Sequence, residues 1–176
     1  MRPQSINGLT DLYHEPLDEQ DARMLTTFRS YVRPPSDSRG HLKSELARID
    51  GTALKDYEYA GFIPEGPARD GPWSNVTRVF IRPDGQPILI NEWDFVVDGG
   101  SIKVVRDWLN ETVGETPARL VVKRGADGTT ATVLTWTTRA KDYTIMTPGD
   151  ALSPVAGSPY DKAWLLSIAK GLSRRD

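Results

Sequence analysis

Glu92 and Asp94 are the two residues of this chain best placed by type and spacing to do chemistry. Side chains two apart on a strand project to the same face. Across the strand predicted at 88–97, these carboxyls therefore stand together with Ile88 and Ile90, while Leu89, Asn91, Trp93 and Phe95 share the other face. Two acids so placed could serve as proton donor and base on a bound substrate, the arrangement of a carboxylate-dependent hydrolase. The same acids beside Arg78 and Arg82 of the preceding strand also make ordinary cross-strand ion pairs, each contributing on the order of a few tenths of a kcal/mol. Asp94, Asp98, Gly99 and Gly100 supply the residue types of a calcium loop without the spacing of an EF-hand.

Other catalytic or ligating patterns are missing. His14 and His41 are far apart and neither has a second histidine at metal-ligand spacing. The glycines of 61–71 are not followed by the Lys-Ser or Lys-Thr of a phosphate loop, no Gly-x-Ser-x-Gly elbow occurs, and there are no cysteines. No metal and no cofactor are expected. Asp18, Glu19 and Asp21 form an acidic cluster that a helix start attracts for its own electrostatic reasons.

Binding is a different matter. Of the five tryptophans, Trp93, Trp108, Trp136 and Trp164 fall on apolar sides of predicted elements and read as core. Trp73 lies in Gly71-Pro72-Trp73-Ser74, at the end of a Pro- and Gly-rich loop, where it either closes the core edge or stands out as an anchor. With Tyr57, Tyr59 and the Glu92–Asp94 face, it outlines a candidate partner-binding surface.

The elements that must position these residues follow from periodicity and turn chemistry. Alternation and flanking turns predict strands at 56–62, 76–82, 88–97, 118–124, 130–138 and 143–147, with a hairpin at Pro83-Asp84-Gly85-Gln86. A first helix starts at the Asp18 cap, carries Ala22, Leu25, Phe28 and Val32 on one face, and must stop at Pro34-Pro35. Leu42, Leu46 and Ile49 predict a second short helix closed by Gly51, and Ile102, Val105, Trp108 and Leu109 favour a helix over 101–113, with a strand at 102–106 as the other option. The terminal helix opens at Ser158-Pro159-Tyr160-Asp161 with Ser158 as its N-cap, runs through Lys170, and has a stripe of Trp164, Leu165, Ile168, Ala169 and Leu172. The expected fold class is α+β: an antiparallel sheet of about six strands with helices packed on one face. The expected organisation is an N-terminal arm and helical segment over 1–52, and the sheet with its helices over 53–176.

At 176 residues the chain is long enough for a core without staples, and a net charge of −2 without any basic block argues against a nucleic-acid partner. Arg174-Arg175 complements a helix C-terminus. No apolar run reaches the length of a membrane span, and the opening Met1-Arg2-Pro3-Gln4 lacks the apolar segment of a signal peptide, so an exported protein would have lost its signal.

Gly114-Glu115-Thr116-Pro117-Ala118-Arg119-Leu120, then Leu134-Thr135-Trp136, Tyr143-Thr144-Ile145 and the run from Leu165 to Leu172 form a pattern over roughly the last 60 residues. It resembles an extracytoplasmic module of bacterial lipoproteins and membrane-tethered anti-sigma factors. Gly171 stands where that module usually has Ser, and 151–157 lengthens the loop before the helix. The resemblance implies a periplasmic or other cell-envelope location and a non-catalytic, protein-binding role. Two forms of such a role are a sensor or lipoprotein-like envelope domain and an immunity protein that blocks a secreted toxin. It implies no site residues. The competing expectations are the hydrolase built on Glu92 and Asp94 and a carrier of apolar ligands between sheet and helices.

Overall fold

Two three-stranded antiparallel meanders meet edge to edge at the centre of the fold. The computed structural model describes residues 5–6, 9–38 and 40–173; Met1 to Gln4 and the Arg174-Arg175 pair lie outside them. The described strands are β1 (Ser5–Ile6), β2 (Leu9–Thr10), β3 (His14–Pro16), β4 (Glu58–Pro64), β5 (Asn75–Ile81), β6 (Pro87–Asp94), β7 (Glu111–Val113), β8 (Thr116–Arg124), β9 (Thr130–Thr137) and β10 (Lys141–Pro148). The helices are α1 (Glu19–Thr27) and α2 (Lys162–Leu172). β1 and β2 pair with each other, and the remaining eight form one sheet in the order β3-β8-β9-β10-β6-β5-β4, with β7 also on β8.

The chain is therefore α+β, but its sheet is larger than the expected six strands and is mixed. All six expected strands are present; β3 and β7 are the additions, and β3 runs parallel to β8. A parallel edge strand reached across a long connection has no hairpin turn to announce it. β7 takes part of the stretch read as a helix: 101–105 has no regular structure, 106–108 is one 3₁₀ turn, and 111–113 pairs with β8. Asn110 holds this path, its side chain bonding the N–H and C=O of Leu120 and the carbonyl of Leu12.

The helix expected around Leu42, Leu46 and Ile49 is also absent. That segment is an irregular strap whose apolar residues go to different places. Leu42 bridges Trp73, Leu46 packs on Phe62, Trp73 and Val76, and Ile49 packs on the main core. α1 starts at Asp18 as expected, with Asp18 Oδ1 accepting from the Asp21 N–H at 2.8 Å. It ends earlier than the prolines require, passing into a 3₁₀ turn at Phe28–Ser30. α2 is capped by Asp161 rather than Ser158; Asp161 Oδ1 accepts from Trp164 N at 2.8 Å, while Ser158 Oγ receives the Tyr160 N–H in a preceding turn.

Alternation along each strand divides the buried residues between two faces. Ile88 and Ile90 join Leu120, Leu134, Trp136, Tyr143, Ile145 and the α2 residues Leu165, Ile168, Ala169 and Leu172 in the largest cluster. Leu89 joins Val79, Ile81, Met146 and the α1 residues Leu25 and Phe28 in another. α2 thus contributes to one cluster and α1 to the other. On the α2 face the Trp136 ring stacks on Tyr143 with centroids 4.9 Å apart, and its Nε1 donates to Ser173 Oγ at the end of α2 at 2.8 Å. A Cβ at Gly171 would come within 2.3 Å of Thr52 Cγ2, so a side chain there would push α2 off the 51–52 turn.

Arg82 ties α2 and its preceding loop to the sheet. It is 6% exposed, holds both carboxylate oxygens of Asp84, donates to Thr147 Oγ1 and the Pro148 carbonyl, and lies 4.0 Å from the Tyr160 ring centre. Arg82→Ala removes a desolvated cation–π contact and several charge-assisted hydrogen bonds, and should cost about 3 kcal/mol. Guanidinium denaturation measures it; a loss below about 1 kcal/mol would show that Arg82 does not anchor this corner.

Candidate functional site

Of the anticipated surface, Trp73, Glu92 and Asp94 are buried, and Tyr57 and Tyr59 are half-buried. Glu92 is 1% exposed and sits under the 42–49 strap. It pairs with Arg78, accepts the Ala47 N–H at 2.8 Å, and lies 3.9 Å from Lys141 Nζ. Lys141 in turn donates to the Glu45 carbonyl. The Arg78 pairing anticipated on an exposed face is present, but it is buried, and Arg78 Nε has no hydrogen-bond partner. Asp94, also buried, accepts the Val97 N–H at 3.0 Å.

Trp73 closes the core edge. It is 3% exposed, packs between His41 and Phe62, and donates from Nε1 to the Ala68 carbonyl. Tyr57 is half-buried and accepts from Trp164 Nε1 at 3.2 Å. Tyr59 stacks on Phe80, and burial pushes its phenol pKa up, against the lowering effect of Arg78. These residues hold the strap and α2 to the sheet. Among the described residues no group of three His, Asp or Glu is arranged to hold a metal ion.

The open chemistry is on the other face. Strand register arranges that face in cross-strand rows. Val79, Leu89, Met146, Val133 and Val121 make an apolar row on the α1 side. The next row is Thr77, Asn91, Thr144, Thr135 and Arg119, and beyond it lie Asn75, Trp93, Asp142 and Thr137. One step along the strands changes the face from apolar to polar.

These polar side chains are bonded to one another. Asn91 Nδ2 donates to Asn75 Oδ1 at 2.7 Å and to Thr77 Oγ1 at 3.1 Å, and Thr77 donates to Glu65 Oε1 at 3.0 Å. The hydroxyls of Thr135 and Thr144 meet at 3.3 Å, and Thr137 donates to Asp142 Oδ1 at 2.6 Å. Arg119 pairs with Glu15 and lies 5.1 Å from the Trp108 ring centre. Two openings flank the rows. One, of about 230 Å³, lies between α1 and Glu65, Thr77, Asn91 and Thr144. The other, of about 220 Å³, lies between Trp108, Thr137 and Asp142 under the 102–105 loop.

Glu65 and Asp142 are the unusual groups here. Each is half-buried, each accepts one threonine hydroxyl, and burial raises both carboxyl pKa values with no neighbouring cation to oppose it. Counting strands from β4 through β5 and β6 to β10, their backbone positions are about 14 Å apart, too far to share a proton. They are separate acceptor sites on one hydroxyl-lined floor. Sequence reading passed over both, because Glu65 falls in the Pro- and Gly-rich stretch after the predicted 56–62 strand and Asp142 just before the predicted 143–147 strand, although it is part of β10. Only the register reveals that they flank the same rows.

No protein-family model matches the chain, and neither a curated protein nor a solved structure does.

The two carboxyls should make the free protein more sensitive to rising pH. The unfolded chain ionises Glu65 near its ordinary value of 4.5 and Asp142 near 3.8, whereas the folded chain ionises each later. In that window the folded state holds more protons, so their contribution is full below the ordinary values and is lost as pH rises through the raised ones. Glu65→Gln and Asp142→Asn should therefore melt at the same temperature as the parent or higher at pH 7, with a smaller fall in stability between pH 4 and 7. Thermal melts across this range test it; a variant less stable than the parent at pH 7 alone would refute it.

Proposed function

We propose that this chain is a non-catalytic binding domain of the bacterial cell envelope that acts through a protein partner. The observation that carries the reading is the loop after β6. Val96, Val97, Val104 and Val105 are 53%, 47%, 51% and 48% exposed, four branched apolar side chains on one ten-residue loop. Exposed apolar side chains of this kind, beside a polar floor, are what a protein interface covers. Val104 and Val105 also line the opening over Asp142 and Thr137, so patch and floor are continuous. The envelope location rests on the resemblance of the last third alone. An immunity protein is the form of this reading in which the partner is a secreted toxin.

The loop is braced in advance, which lowers the ordering cost of binding. Asp98 accepts from Ser74 Oγ, from Trp93 Nε1 at 3.0 Å and from Lys43 Nζ at 2.9 Å, and these bonds hold its pKa down to about 2.

The hydrolase reading needs carboxyls open to a substrate, and Glu92 has both oxygens engaged beneath the strap. The described geometry therefore favours binding over that mechanism. No helix among the described residues is long and apolar enough to cross a membrane.

Two measurements bear on this reading. A tagged chain should recover one stoichiometric protein from extracts of its source cells, and the double variant Val97→Asp, Val104→Asp should fold but recover at least tenfold less. Undiminished recovery would place the interface elsewhere, and no partner in any fraction would remove the reading. Asp98 should contribute stability that is full above about pH 4 and lost as pH falls towards 2, because its folded pKa lies below its unfolded value of 3.8. Asp98→Asn should be less stable than the parent at pH 7, the gap closing by pH 2 in urea denaturation; a constant gap would show that the bracing is not electrostatic.

A further inference from the structure

We propose that the opening between α1 and the sheet binds an organic cation, an ammonium or guanidinium group on a short aliphatic chain, with Glu65 as its counter-ion. This goes beyond the valine-loop reading and does not depend on it.

The lining divides into two kinds of surface. Met24, Leu89 and Met146 form the apolar side, two of them buried in the α1 core cluster. Glu65, Thr77, Asn91 and Thr144 form the polar floor, and α1 contributes Gln20 and Asp21. The Thr77 and Asn91 donors of that floor are already used. The Thr77 hydroxyl is given to Glu65, and the Asn91 amide hydrogens go to Asn75 and Thr77. What the floor offers a ligand is chiefly acceptor capacity, above all the second carboxylate oxygen of Glu65. A surface rich in acceptors and short of donors selects a ligand that brings donors, and a half-buried carboxylate selects one that brings positive charge.

Among the described residues no cation is paired with Glu65. Lys123, whose row lies beyond the apolar one, is committed to Asp21 and Asp18. Glu65 is held in place from both sides, its N–H bonded to the Asn75 carbonyl at 2.9 Å and Oε1 to Thr77. A cavity of about 230 Å³ corresponds to the liquid share of about eight waters, which suits a four-carbon amine or a single arginine side chain. An alkyl chain against Met24, Leu89 and Met146 with its charged head on Glu65 satisfies both halves of the lining.

The test uses the full chain labelled with ¹³C at the methionine methyls, since two of the three methionines line the cavity. It is titrated with n-butylammonium, with agmatine, with a Gly-Arg-Gly peptide and with n-butanol. Saturable shifts at Met24 and Met146 with the cations, at least tenfold weaker binding of n-butanol, and a tenfold or greater loss in Glu65→Gln support the proposal. Tighter binding of the peptide than of agmatine identifies a protein side chain as the source; the reverse identifies a free amine. Equal binding of n-butanol and n-butylammonium makes this an apolar-ligand site and overturns the proposal. Absence of a saturable shift in the parent protein, or unchanged binding in Glu65→Gln, also overturns it. Glu115→Gln, at an exposed acid outside the lining, serves as a second variant, and it should bind the amine like the parent.

Discussion

The antiparallel pairing of β6 with β10 is the constraint on which the rest depends. The meander β4-β5-β6 and the meander β8-β9-β10 are each built from neighbours in sequence, but only this one junction makes them a single sheet. Its register places Glu92 opposite Tyr143 and Asn91 opposite Thr144. That alignment puts the two aromatic-rich halves of the α2 face into one core. On the other face it joins the hydroxyls of β5 to those of β9. A one-residue slip would exchange the faces of an entire meander, exposing Ile88 and Ile90 and burying Asn91. The connection from β6 to β8 must also pass β10 and β9, and this carries the valine loop and Trp108 over the polar end of the face.

The two faces treat charge in opposite ways. On the α2 face, Glu92 is buried with Arg78, an amide donor and Lys141, so its charge is answered from three directions. A buried pair of this kind adds little net stability, because desolvation offsets the attraction. Its evident effect is to fix where the 42–49 strap lies. On the other face, Glu65 and Asp142 are pushed towards their neutral forms by burial and receive one hydroxyl each. Groups that are costly to the free fold and open towards a cavity are the ones on which a ligand can act.

The helix caps show how finely the chain divides local from distant control. Asp18 caps α1 as its sequence context requires, because an N-cap is a matter of four consecutive residues. At α2, Ser158 and Asp161 are both competent caps, and Asp161 prevails while Ser158 closes a turn. Tyr160 is then free to lie against Arg82, a contact between residues 78 positions apart that no local rule contains.

Sequence alone determined the elements whose stability is local or whose faces alternate cleanly. The six central strands, the β5–β6 hairpin, the Asp18 cap and the α2 stripe were all legible, since period, turn residues and capping chemistry act within a few positions. Tertiary structure decided everything that depends on which strands become neighbours. Leu42, Leu46 and Ile49 keep helical spacing yet fold as a strap, because Leu42 and Leu46 are drawn to the Trp73 cluster and Ile49 to the main core. β3 and β7 exist only because the edge of β8 is open to them. Glu92 and Asp94, prominent in the sequence, are turned inward, and Glu65 and Asp142, inconspicuous in it, border the open polar rows. The reason is physical: alternation says which residues share a face, but only long-range pairing and packing decide which face is covered.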